Sequence, residues 1–191
     1  MGGQIVSHER AERANVDLTS LAGRLASANP DVIVFEGLNP EAALLLKELN
    51  KASFQGTFIA PDAALNVRDF VMNAGDAANG AIVSAGPVPD DAFNNRFRGR
   101  TQRVPATAFV LQTYDAVTLL LRAVDSVAST EADGSLVIDR EALADAIRSR
   151  AYSGLTGTIR FDANGDRSGE SPEELGLKLY RVVAGRFQSL P

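Results

Sequence analysis

Three short runs of β-branched and aromatic residues, each followed closely by a stretch of helical period, constrain this chain more than any other feature. Val32-Ile33-Val34-Phe35 has strand length and no polar break, which predicts a parallel strand buried on both faces. Glu36-Gly37 closes it. Asn39 then offers an N-cap, Pro40 suits a first helical turn, and Ala42, Leu45, Leu46 and Leu49 recur at helical spacing, so residues 40–51 read as an amphipathic helix. Upstream, Leu18, Leu21, Ala22 and Leu25 mark a helix over 18–28 that leads into this strand. Thr57–Ala60 reads as a second strand closed by Pro61-Asp62, residues around Leu65–Met72 as a helix, and Ala81–Ser84 as a third strand. Strand, helix, strand with short connections predicts crossovers on a parallel sheet, hence an α/β fold. Gln4-Ile5-Val6 adds one more candidate strand.

Past Pro105 the pattern changes. Phe109, Leu111, Tyr114, Val117, Leu120, Leu121 and Val124 spread over a wide arc of a long helix, Ala106 to about Ala128, and such breadth implies burial on more than one side. Residues 129–138 read as a loop, and Asp139 as the cap of a helix reaching about Arg150. The remainder is β-like: Thr158–Phe161, a turn at Asp162–Asp166, an alternating strand at Leu177–Val183, and a final turn at Ala184-Gly185.

Composition excludes several chemistries. The chain has no cysteine, which removes thiol catalysis, disulfides, thiolate zinc sites and iron–sulfur ligation. It has one histidine, His8, which reads as a solvated or partly packed side chain, and a metal site would have to be built from carboxylates. A net charge of −5 argues against a protein devoted to nucleic acid or anionic membranes. The N-terminal MGGQIVSHERAER lacks a basic start followed by an apolar run and reads as neither signal peptide nor anchor. No Gly-x-Gly-x-x-Gly or phosphate loop supports a nucleotide cofactor.

In an open parallel sheet, ligands bind beyond the carboxyl ends of the strands. Three such ends carry Glu36-Gly37-Leu38, Pro61-Asp62 and Ser84-Ala85-Gly86. Two acids in one crevice could hold a cationic group such as an ammonium, could act as general acid and base, or could simply cap the helices that follow. Asp162-Ala-Asn164-Gly-Asp166 with Glu173 echoes a calcium loop, but Arg167 stands where the sharp turn needs glycine, and Asn164-Gly165 is a strong hairpin signal. Arg96, Arg98, Arg100 and Arg103 fall within eight residues, either as an anion or RNA patch or as solvated surface.

The segments VDLTSLAGRLASANPDVIVFEGLNPEAALLLKEL (16–49), FIAPDA (58–63), AGDAANGAIVS (74–84), TYDAVTLLLRAV (113–124), YSGLTGTIRFDANGDR (152–167) and LKLYRVVAGRF (177–187) together resemble the type I periplasmic solute-binding proteins of ABC transporters, the branched-chain amino-acid (Leu/Ile/Val-binding) group. The resemblance implies two α/β lobes closing on a ligand in the cleft between them, no enzyme activity, and no cofactor or metal. In its terms Glu36, Gly37 and Leu38 face the ligand and Asp62 anchors its α-ammonium. Ser84 lies at the third strand end, and Phe109 is a further cleft contact. Leu38 departs from the aromatic that amino-acid binders of the group often carry, which opens the side-chain specificity.

The same resemblance implies a parallel-sheet, Rossmann-like lobe with part of a second. Residues 1–104 would supply most of the C-terminal lobe, 105–165 would belong to an incomplete first lobe, and 166–191 would form terminal β segments and the hinge. Family chains continue further on the N-terminal side, where a signal peptide and the groups holding the ligand's carboxylate lie. Expected partners are an amino acid or analogue and a membrane permease, with no nucleic acid. The compartment implied by the resemblance is the periplasm. A dimer or a lobe segment would cover the 106–128 helix, which would otherwise expose a large apolar surface. A ligand-binding sensor or regulatory domain of the same fold is the alternative.

Overall fold

The computed structural model describes residues 2–11, 17–103, 109–172 and 174–191. The chain divides into two compact units: Met1–Ala85 with Leu179–Pro191, and Gly86–Lys178. Residues 86–103 thus group with the second unit.

The first unit is built on a five-stranded sheet of order β1 (Val32–Val34), β2 (Thr57–Ala60), β3 (Ile82–Ala85), β8 (Lys178–Val183) and β9 (Arg186–Ser189). Helix α1 (Leu18–Ser27) opens on Asp17, whose carboxylate accepts the amides of Thr19 and Ser20. It leads into β1 (Val32–Val34), then α2 (Asn39–Lys51), β2 (Thr57–Ala60) and β3 (Ile82–Ala85). β1 pairs parallel with β2, Ile33 opposite Phe58, and β2 parallel with β3, Ala60 opposite Val83. The expected alternation of strand and helix is therefore present.

One face of this sheet carries the core. Ile33, Phe58, Ala60, Val83, Tyr180 and Val182 are buried together with Leu21 and Ala22 of α1 and Ala42, Leu45, Leu46 and Leu49 of α2. The predicted burial of Val32–Phe35 on both faces does not hold: Val32 and Val34 are 46% and 65% exposed. β1 is an edge strand, and both helices beside it pack with the Ile33 side. Nor is Gln4-Ile5-Val6 a strand; Ile5 and Val6 are exposed, and pairing three residues that bury nothing gains too little against chain entropy.

Smaller corrections follow from local chemistry. The cap of α2 is Leu38, in extended geometry and without a side-chain bond, so Asn39 and Pro40 are its first helical residues. The helix expected near Leu65–Met72 splits into a 3₁₀ turn at Asp62–Ala64 and a wide turn at Val67–Met72, because Asn66 caps the second by accepting the Asp69 amide at 2.9 Å.

The unit closes with β8 (Lys178–Val183) and β9 (Arg186–Ser189), an antiparallel pair joined at Ala184-Gly185. Both turn residues have positive φ, 48° and 77°, as a tight two-residue hairpin requires.

The second unit contains α3 (Asp91–Thr101), α4 (Val110–Val127), a ribbon of β4 (Ser129–Thr130) and β5 (Leu136–Val137), α5 (Arg140–Arg148), and a hairpin of β6 (Tyr152–Gly154) and β7 (Gly157–Ile159). Phe109 sits at φ 61°, incompatible with a helix running through it, so α4 starts at Val110; the expected helical residues 106–108 lie outside the described residues. The breadth of its apolar arc does not translate into burial on several sides. Leu111, Asp115 and Ala123 are buried, whereas Tyr114, Val117, Leu120 and Leu121 are exposed, Leu121 by 63%. Residues 129–138 are not a plain loop, because Asp133-Gly134 turns the chain and lets Thr130 pair with Leu136. Asp139 caps α5 as expected, accepting the Ala142 amide at 2.8 Å.

Candidate functional site

Because β1, β2 and β3 run parallel, their carboxyl ends share one edge of the sheet. That edge presents Glu36, Gly37 and Leu38 after β1, Asp62 after β2, and Ser84 within the end of β3. Glu36, Gly37 and Leu38 are exposed, while Asp62 and Ser84 are half-buried.

The strand ends are held firmly. The Phe35 amide donates to the Ile59 carbonyl at 2.8 Å, and the Phe35 ring stacks on Phe58 with centroids 6.0 Å apart. Gly37 lies against that ring: a Cβ there would come within 2.6 Å of the Phe35 ring tip. Glycine therefore lets the chain pass over Phe35 and places Glu36 and Leu38 outward.

The two acids are not spent on helix capping. The α2 cap, Leu38, and the cap of the 3₁₀ turn, Pro61, both lack side-chain bonds. Among the described residues neither the Glu36 nor the Asp62 carboxylate has a hydrogen-bond or ion-pair partner. Such a pair can receive a cationic donor without breaking any bond made among the described residues.

Phe109 belongs to the second unit, where it precedes α4 with its carbonyl accepting the Thr113 amide at 2.8 Å and its ring 55% exposed. The structure therefore brings five of the six candidates to one sheet edge within one unit.

Three further residues escaped the sequence reading. Asp115 is 1% exposed, and its carboxylate accepts the amides of Leu155 and Thr156, at 2.8 and 2.7 Å, in the β6–β7 turn. Arg167 donates to the carbonyls of Thr156, Thr158 and Glu174 and to the Thr156 hydroxyl. Burial lowers its pKa from the ordinary arginine value, opposed by the charge of Asp115. An acid inside an otherwise apolar helical arc was the available signal for Asp115. Gln112 is the third: its Oε1 is buried with no hydrogen-bond partner among the described residues, and its side chain fills the space a Cβ on Gly86 would need.

The suspected calcium loop is a hairpin turn, as its Asn-Gly pair predicts. Asp162 accepts the amides of Asn164 and Asp166, at 2.9 and 3.0 Å, so its carboxylate is occupied by backbone; Glu173 lies outside the described residues. A cleft of about 220 Å³ between α4 and α5, lined by Leu119, Arg122, Ala123, Ile147, Arg150 and Tyr152 among others, belongs to the second unit and contains none of the candidate residues. Arg122 lies over the Tyr152 ring at 5.1 Å. Among the described residues no helix is long and apolar enough to cross a membrane.

A family model described as periplasmic binding protein matches residues 1–184. The chain is 26% identical over 170 residues to the leucine-, isoleucine-, valine-, threonine-, and alanine-binding protein of Pseudomonas aeruginosa, covering 86% of this chain and 43% of that one. It is 26% identical over 175 residues to the Leu/Ile/Val-binding protein BraC3 of Rhizobium johnstonii, covering 90% and 44%. Among solved structures, the leucine binding protein LivK of Thermotoga maritima matches with a TM-score of 0.70 at 25% identity, over 92% of this chain and 48% of that one. Rp1789 of Rhodopseudomonas palustris shares the fold, with a TM-score of 0.73 at 23% identity over 96% and 54%. The chain thus spans about half the length of the relatives it matches. Its fold class is theirs: α/β with a parallel sheet.

Proposed function

This chain belongs to the periplasmic binding protein family, and from that membership we propose that it binds an amino acid or similar small polar solute in an interlobe cleft, for import by an ABC permease. Its role is binding and lobe closure in the periplasm, a shift of conformational population with no chemistry on the ligand. Glu36, Gly37, Leu38, Asp62, Ser84 and Phe109 contact the ligand, with Asp62 receiving the α-ammonium. Residues 1–104 form most of one lobe, 105–165 part of the other, and 166–191 the terminal β segments and hinge. A second copy or a further lobe segment covers the apolar face of α4.

The observation that supports this reading is the pair of carboxylates, Glu36 and Asp62, at the ends of neighbouring parallel strands and without partners among the described residues. Each charge-assisted bond to an ammonium contributes about 1.5–3 kcal/mol. The Pseudomonas aeruginosa relative carries leucine, isoleucine, valine, threonine and alanine in its name, which sets the first ligands to try.

Titration of the chain with these five amino acids, followed by ligand-observed NMR, tests the proposal. Weak, saturable binding is expected for at least one of them. Asp62→Asn should weaken it about tenfold or more, the loss of one charge-assisted bond. Equal binding by Asp62→Asn would remove Asp62 as the anchor, and conversion of the amino acid during the titration would overturn the non-enzymatic role.

A further inference from the structure

Arg96, Arg98, Arg100 and Arg103 crowd the C-terminal half of α3 and the residue positions just past it. From Ala92 to Arg103 no Asp or Glu intervenes. Asp90, the nearest acid on the N-terminal side besides Asp91, is engaged as the helix cap, accepting the Phe93 amide at 2.7 Å. All four arginines are exposed, and among the described residues none has an ion-pair partner. The helix is anchored by its aromatic residues instead: Phe93 stacks with Phe97 at 6.2 Å and meets Tyr114 of α4 edge-on at 6.1 Å. Arg96 and Arg100 stand four residues apart on α3, at neighbouring positions of its surface.

We propose that this half of α3 docks a short protein segment rich in Asp and Glu. Guanidinium groups pair with carboxylates through two parallel hydrogen bonds, which gives orientation as well as attraction. The whole chain carries −5, so an extended polyanion is repelled by the rest of the molecule. A short acidic segment senses only the charges within a Debye length, about 8 Å at physiological salt. An anionic membrane is further disfavoured because a basic helix lying on lipid needs a free apolar face, and here the phenylalanines are committed to each other and to Tyr114.

Fluorescence anisotropy with dye-labelled octaglutamate, at about 0.15 M salt, tests the docking surface on the full chain. Saturable one-to-one binding is expected. Arg96→Glu with Arg100→Glu should weaken it at least about tenfold, whereas the control pair Arg140→Glu with Arg148→Glu on α5 should change it less than about threefold. Circular dichroism checks that each variant is folded; should the charge reversals fail to fold, Arg96→Gln with Arg100→Gln should still weaken binding about threefold or more. The proposal is overturned by absence of saturable binding or by equal losses in the α3 and α5 pairs. It is equally overturned if phosphatidylglycerol vesicles or an oligothymidylate bind the parent chain more tightly than the peptide.

Discussion

The Asp115 carboxylate in the second turn of α4 accepts the backbone amide of Thr156 at 2.7 Å, a bond that joins residues 41 apart in sequence. The same group accepts the Leu155 amide, so one buried side chain holds both residues of the β6–β7 turn to the helix. Gly154 is part of this fit: a Cβ there would come within 2.5 Å of the carboxylate.

Replacing Asp115 with Ala leaves two amides without their acceptor, at a cost of about 3 kcal/mol. Urea unfolding should show the midpoint falling accordingly, with Asp115→Asn intermediate because one acceptor oxygen remains. A variant as stable as the parent would mean that the turn finds other partners for these amides.

The exposed stripe of Tyr114, Val117 and Leu121 on α4 predicts self-association. Contiguous apolar surface beyond a few hundred Å² is unusual on a soluble monomer. Sedimentation velocity should find the parent chain associating as concentration rises, and Val117→Gln with Leu121→Gln shifting it toward monomer. A compact, sharply melting monomer at every concentration would contradict this.

Acid should loosen α1 first at its N-terminus. Hydrogen bonds from the Ser20 hydroxyl and amide, and from the Thr19 amide, lower the Asp17 pKa from its ordinary value. A carboxyl whose folded pKa is depressed stabilises the fold above the ordinary aspartate range and loses that contribution as pH falls through the folded value. Amide resonances of residues 18–21 should therefore report fraying on acidification below that range. Asp17→Asn, which keeps a capping oxygen but no charge, should abolish the pH dependence; an unchanged profile would place its origin elsewhere.

Much of the first unit was legible because its signals are local. Ala42, Leu45, Leu46 and Leu49 announce the buried stripe of α2, Thr57–Ala60 is a strand to the residue, and Asp139 caps α5. What the sequence could not convey is which surfaces find cover. Val32 and Val34 have the composition of a doubly buried strand, yet burial depends on an element packed over them. Val117 and Leu121 differ from buried helical leucines in no local property. At the strand ends, the positions of Glu36 and Asp62 were readable from the alternation, but their freedom from capping was not. It depends on Leu38 and Pro61 starting the next elements by backbone geometry alone. Asp115 and Arg167 were harder to read for a related reason, since their partners are mostly main-chain groups, which leave no trace in residue identity.

The edge position of β1 has a consequence for how this chain behaves in bulk. Among the described residues no strand lies beyond it in the sheet, so its outer amides and carbonyls and its valine side chains form a template onto which an extended segment of a neighbouring molecule can add. The strand is only three residues long. A foreign segment gains few ladder bonds there, and this brevity limits fibre-like growth from the sheet's open side.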